Sequence, residues 1–138
     1  MRWFRPRDVL PARWLRGRRA EALACRYLAR HGYRIERRNV RFPGGEIDVV
    51  ARDGRCLCFL EVRSTSSSQW GGPLGSITDR KRRRLLRGAQ WYLRYERAQD
   101  IEEIRFDVVA VDWGVPAVPE VQLVRGAFTA DEPLYQGR

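Results

Sequence analysis

The chain is poor in several residue types that metal sites and catalytic centres rely on. Its 138 residues hold one lysine (Lys81), one histidine (His31), one methionine and three cysteines. The cysteines stand at 25, 56 and 58. The C-x-C pair has no second Cys/His pair to complete a tetrahedral set, which argues against a zinc site. Cys56 and Cys58 are two apart in an apolar run, a spacing that suits a disulfide poorly. We read all three as reduced thiols in a reducing, cytoplasmic compartment. His31 falls at the end of a predicted helix, where the dipole favours a basic residue, and reads as a helix-end residue rather than a catalyst. No apolar run is long enough to span a membrane. None of signal-peptide length follows the basic N-terminus. No membrane partner is expected.

What the chain has in excess is arginine. Of 27 basic residues, 26 are arginine, against 17 acids, for a formal net charge of +10. The excess is lopsided. Residues 100–138 hold eight acids and three bases, a net of −5, so residues 1–99 carry +15. A fold does not require that asymmetry, but a positive field over one part of the surface attracts a polyanion. Arginine-rich codon usage is the bland alternative, and local clustering of the charge counts against it.

The length fits one domain with a core of its own. Residues 1–16 mix arginines with Trp3, Phe4 and Trp14 and read as a basic N-terminal arm, either a nucleic-acid contact or a floppy terminus. The domain proper is expected over 17–128 and a C-terminal tail over 129–138. Ala20, Leu23, Ala24, Tyr27 and Leu28 have helical spacing and predict a helix over 17–31, with Gly32 as its stop. Strands are expected at 33–41, 46–51 and 56–62, the last apolar on both faces and so central in a sheet. Phe42-Pro43-Gly44-Gly45 and Asp53-Gly54 read as turns. A Ser/Gly-rich loop fills 64–77 and is long enough to be functional or disordered. Its Trp70 either stacks on a base or caps the core. A second helix is expected from 77 to 97, then strands at 104–113 and 121–124. Trp91 and Trp113 read as core or partly buried residues.

The hairpin carries the chemistry. With Asp53 and Gly54 as the loop, Asp48 faces Phe59 and Glu46 faces Glu61. Glu46, Asp48, Glu61 and Arg63 then share one face. Two glutamates directly opposed in apolar strands are destabilising without compensation. A hard divalent cation, Mg²⁺ or Mn²⁺, supplies it and suits a carboxylate set. Pairing of the glutamates with Arg63 and other arginines supplies it too. The residues alone leave both readings open.

The run G-G-E-I-D-V-V-A-R-D-G-R-C-L-C-F-L-E-V-R (44–63) resembles the signature of the YraN-like proteins. The similarity extends to the first helix, G-R-R-A-E-A-L-A-C-R-Y-L, to the second, K-R-R-R-L-L-R-G-A-Q-W-Y-L, and to the strand R-F-D-V-V-A-V. It spans about 17–128. The resemblance implies an α/β fold with a restriction-endonuclease-like αβββαβ core, a mixed sheet flanked by helices, similar to archaeal Holliday-junction resolvases. It also implies the PD-(D/E)XK nuclease arrangement. Asp48 matches the metal-binding aspartate, Glu61 the glutamate of E-x-K, and Glu21 the acid brought by the first helix. Asp48 and Glu61 are thus the implied metal ligands. The chain departs from the pattern at Arg63, which stands where E-x-K has lysine. Arginine stays protonated and does not act as a base, though it stabilises charge at phosphorus. Lys81 is the one residue able to bring an amine from elsewhere.

Arg80, Lys81, Arg83, Arg84 and Arg87 crowd the start of the second helix, where positive charge opposes the macrodipole and like charges repel. Phosphate contacts are the simplest compensation, and a solvated face is the alternative. The expected function is metal-dependent hydrolysis of DNA phosphodiesters, with DNA favoured over RNA and branched DNA as a candidate substrate. Two cuts at a junction imply a homodimer. The alternatives are a non-catalytic nucleic-acid-binding module, silenced through Arg63, and a protein-interaction or ribosome-associated factor.

Overall fold

The computed structural model describes residues 12–65, 77–96, 98–114 and 119–129, the side chains of 12–16 and 65 aside. The elements run α1 (Ala12–Arg30), β1 (Arg34–Phe42), β2 (Gly45–Asp53), β3 (Cys56–Thr65), α2 (Asp79–Tyr95), β4 (Glu103–Asp112) and β5 (Glu120–Phe128). The five strands form one sheet in sequence order. β1, β2 and β3 pair antiparallel, β3 and β4 pair parallel, and β5 returns antiparallel to β4. This mixed sheet flanked by helices is the expected restriction-endonuclease-like αβββαβ core with β5 added at its edge.

Helix α1 starts at Ala12, five residues before the expected start at 17. Ala12, Arg13 and Leu15 are good helix formers, and Pro11 precedes them in sequence, a residue suited to a helix start. β5 is twice the length of the expected 121–124. Most of the arm (1–11), most of the 64–77 loop with Trp70, and nearly all of the tail lie outside the described residues. Among the described residues no helix is long and apolar enough to cross a membrane.

Each helix covers one face of the sheet. On one, Ala24 and Leu28 of α1 pack on Val49, Ala51, Cys58, Leu60 and Val109. On the other, Leu85, Leu86, Ala89 and Tyr92 of α2 pack on Val50, Leu57, Phe59 and Phe106. β3 feeds both layers, which explains why its middle is apolar at every position. Gly88 lets α2 approach the β1–β2 arm. A Cβ there would stand 2.7 Å from Phe42 Cε1 and 2.8 Å from Ile47 Cγ1.

The β2–β3 register differs by two residues from the sequence reading. Asp53 pairs with Cys56 and Val49 with Leu60, so the loop is Gly54-Arg55 rather than Asp53-Gly54. Only Gly54 of that pair has positive φ, at 64°, as a two-residue turn with glycine first requires. A shift of two preserves alternation, so Glu61 keeps its face but moves to the level of Asp48.

Candidate functional site

The site forms where β2 parts from β3. Regular pairing reaches Val49 and Leu60 and goes no further. The next donor on β3, Val62 N–H, gives its hydrogen bond to Asp48 Oδ2 at 2.8 Å instead of to backbone. The side-chain alternation slips at the same point. Ile47 packs with the α2 layer and Val49 with the α1 layer, although they are two apart. The expectation that Glu46, Asp48, Glu61 and Arg63 all share one face therefore needs correction. The slip brings Asp48 and Glu46 to Glu21, carried by α1. One carboxylate oxygen from each of the three lies within 4.8 Å of the others.

This gathering of acids is electrostatically unfavourable. The Asp48 carboxyl is pushed from its ordinary 3.8 up to about 8, first by burial and then by the negative charge of Glu61. Glu21 and Glu46 add to the rise, and the Val62 N–H opposes it. All the charged groups acting most strongly on Asp48 are acids. Glu46 has Arg41 at 3.6 Å, in an exposed pair that contributes little.

Glu61 has the opposite company. Its Oε1 accepts from Arg84 Nη2 at 3.3 Å, and its side chain is 12% exposed. Burial raises its carboxyl, while Arg84, Lys81 and Arg63 hold it down in that order. Arg63 is itself buried, and burial lowers its guanidinium against the pull of Glu61. Asp48 and Glu61 are thus the two halves of a dipolar centre. One end is mainly acidic, and the other is an acid ringed by cations.

A groove of about 660 Å³ opens beside this centre. Arg80, Arg84 and Arg87 of α2 and Arg41 of β1 line it together with Asp48 and Glu46. Positions 80, 84 and 87 recur on one helical face. The β1–β2 turn lines the groove, and Gly45 there leaves room for the stem of Arg84. A Cβ on it would stand 2.8 Å from both Cγ and Cδ of Arg84. The helix tolerates its basic start because Thr78 caps it, accepting from Lys81 N at 3.2 Å, and because Asp79 sits in the first turn.

Of the expected nucleic-acid contacts, Arg80, Arg84 and Arg87 line the groove. Arg83 is exposed but is not among the residues lining it. Lys81 is half-buried, and Glu61, Arg63, Arg84 and Asp48 all act on its charge. Of the expected metal ligands, Asp48 falls in the three-carboxylate group. Glu61 does not, and Glu46 stands there beside Glu21. Sequence reasoning had Glu46 in hand and ranked it below Glu61. It missed Arg41, whose only signal is its outward position between the buried Val40 and Phe42 on an edge strand.

The donor set suits a hard cation. Three carboxylates within 4.8 Å of one another, with Asp48 raised chiefly by burial and by other acids, offer the oxygen ligands that Mg²⁺ or Mn²⁺ prefers. Residues 20–111, which contain every residue of this centre, match the model of the family described as uncharacterised protein family UPF0102. Among curated relatives, a UPF0102 protein of Pseudomonas fluorescens is 43% identical over 112 residues, covering 81% of this chain and 91% of the relative. One from Dechloromonas aromatica is 44% identical, covering 85% and 91%. One from Moorella thermoacetica is 47% identical, covering 82% and 94%. The chain belongs to the UPF0102 (YraN) family.

Proposed function

We propose that the protein is a metal-dependent endonuclease acting on DNA phosphodiesters, with branched or otherwise structured DNA as its substrate. The observation that carries this reading is the dipolar centre at the mouth of an arginine-lined groove. Asp48 is held among acids, and Glu61 beside it is held among cations. Metal-assisted phosphodiester hydrolysis uses carboxylates that can hold a cation and an electropositive cradle for the phosphate, and groups suited to each lie side by side here.

Glu21, Glu46 and Asp48 would hold Mg²⁺ or Mn²⁺ through carboxylate oxygens, with Glu61 at the boundary. When bound, such an ion lowers the pKa of water and offsets charge on the phosphate. The chain's own groups do the rest. Arg80, Arg84, Arg87 and Arg41 bind the strand through backbone phosphates, contacts largely independent of sequence. Arg63, buried beside Glu61, offers fixed positive charge toward the phosphorus centre. Glu61 orients Arg84 by accepting its hydrogen bond.

The second reading is a nucleic-acid-binding module without turnover, and Arg63 is the observation that favours it. A cleavage panel with Mn²⁺ on junction, flap and single-stranded DNA decides between them. We expect cleavage by the wild type, loss in Asp48→Ala, and retained or raised activity in Arg63→Lys. Cleavage that survives Asp48→Ala rules out this site. Salt-dependent binding without cleavage by any of the three supports the module. Affinity that does not respond to salt sinks both readings.

A further inference from the structure

We propose that Trp91 and Tyr95, at the far end of α2, form a stacking platform for the unpaired bases of a DNA strand whose phosphates run along the arginine groove. The inference rests on the nucleic-acid-binding half of the reading above. It narrows the substrate class to DNA with a single-stranded segment, since paired bases are already stacked on one another.

The platform continues the groove. Positions 80, 84, 87, 91 and 95 recur at i, i+4, i+7, i+11 and i+15, one stripe along the helix. The first three are arginines that line the groove, and the last two are aromatic. Leu85, Leu86, Ala89 and Tyr92 lie off this stripe and pack on the sheet. At 1.5 Å per residue, Tyr95 stands about 12 Å beyond Arg87 along the axis. A strand that follows the arginines meets the two rings next.

The rings are held but not covered. Trp91 is half-buried and packs against the core on the α2 side of the sheet. Tyr95 is 59% exposed, the most exposed large hydrophobic side chain among the described residues. Their centroids are 5.4 Å apart. The Arg94 guanidinium lies 5.5 Å from the Tyr95 centroid and adds positive charge beside the ring. Two bonds tie this end of α2 to β1: Arg37 Nη1 donates to Glu96 Oε2 at 2.8 Å, and Tyr92 Oη to Glu36 Oε1 at 2.9 Å. A lone exposed tyrosine needs no explanation. One that leans on an anchored tryptophan, beside an arginine and in line with three groove arginines, matches the charge and the π-faces of a nucleic-acid strand. Every base has a π-face, so such contacts tolerate any sequence.

Binding measured without metal separates this role from cleavage. The probes are a short oligothymidylate, its abasic counterpart of equal length, and a blunt duplex. Tyr95 is exposed, so Tyr95→Ala should keep the fold. We expect it to weaken oligothymidylate binding about tenfold, and binding of the abasic strand and the duplex by less than about twofold. Its salt slope should match the wild type, because stacking releases no counterions, whereas Arg87→Ala should flatten the slope by at most about one unit. Tyr95→Trp should bind as the wild type does. Oligothymidylate affinity unchanged in Tyr95→Ala overturns the platform. So does an equal loss on the abasic strand or on the duplex. If wild-type binding still weakens with salt, each of these results leaves the nuclease reading standing. Self-association altered by Tyr95→Ala, with DNA affinity unchanged, would make the rings a contact between copies of the chain instead. Wild-type affinity that does not respond to salt sinks the nuclease reading, and the platform falls with it.

Discussion

Asp48 and Asp107 lie on the two strands that flank β3, and the fold treats them in opposite ways. Asp107 is fully buried. It accepts four hydrogen bonds: from Tyr33 Oη at 2.8 Å, from Arg105 Nε at 2.9 Å and Nη2 at 3.0 Å, and from Gly126 N at 2.9 Å. Arg105 is in turn held by Asp53 at 2.9 Å. Donors saturate that carboxylate, and a forked cation balances its charge. Asp48 accepts one backbone hydrogen bond and is surrounded chiefly by acids. A structural aspartate looks like the first. The second carries an unmet electrostatic demand, of the kind that clusters at functional sites.

The strongest way to break this contrast is to remove each carboxylate in turn. Asp107→Ala strands Arg105 and the Tyr33 hydroxyl, and should cost about 3–4 kcal/mol in urea denaturation. Asp48→Asn keeps an acceptor for Val62 N–H and removes repulsion from Glu61. In metal-free protein near neutral pH it should be neutral or stabilising. If Asp48→Asn is as damaging as Asp107→Ala, the two aspartates are alike and the site loses its main support.

The pH dependence sharpens the same point. The folded Asp48 carboxyl lies at about 8 against an ordinary 3.8. Between those values the folded chain keeps a proton that the unfolded chain has released. Stability from this group is therefore present at low pH, falls as pH rises through the window, and levels off above about pH 8. The rise at Glu61 acts in the same direction. We expect metal-free wild type to lose on the order of a few kcal/mol between about pH 4 and pH 8 in denaturation measured point by point, and Asp48→Asn to flatten the slope. Bound metal competes with that proton. Mn²⁺ at about 100 times its Kd should then stabilise by about 2.7 kcal/mol above pH 8. The gain should shrink as Asp48 protonates and vanish in Asp48→Asn. Equal stabilisation near pH 5 and pH 8 would place the ion elsewhere.

The contrast between the aspartates also separates what the sequence could reveal from what it could not. The element order was legible because its signals are local: helical spacing from Ala20 to Leu28, Gly32 as a stop, an apolar β3. The hairpin register was not, because Asp53-Gly54 and Gly54-Arg55 both make credible two-residue turns. The choice rests on which residue takes the positive φ. The slip at Asp48 was not legible either. It arises from β2 parting from β3, and it exchanges Glu61 for Glu46 in the three-carboxylate group. Family resemblance named Glu21, Asp48 and Glu61, but only coordinates distinguish the acid that faces acids from the acid that faces arginines. Asp107 shows the converse. Its strand R-F-D-V-V was noted in the sequence, yet nothing local announces that Tyr33, 74 residues away, will donate to it.

The smallest expected effect tests how the cationic half is held. Gly45 has no side chain where the stem of Arg84 passes, and a Cβ there would lie 2.8 Å from two of its carbons. Gly45→Ala should leave the fold intact, because the Arg84 side chain can move and Phe42 Cζ, at 3.0 Å from the added Cβ, need give by only a few tenths of an ångström. It should tilt Arg84 away from Glu61 and out of the groove. One phosphate contact is then weakened, so DNA affinity should fall a few-fold and the slope of log affinity against log salt should flatten by at most about one unit. Arg84→Ala sets the limit for both changes, and Gly45→Ala combined with it should add nothing further. Additive losses in the double variant would mean that Gly45 acts on some other part of the groove, and the close approach would then not be what positions Arg84.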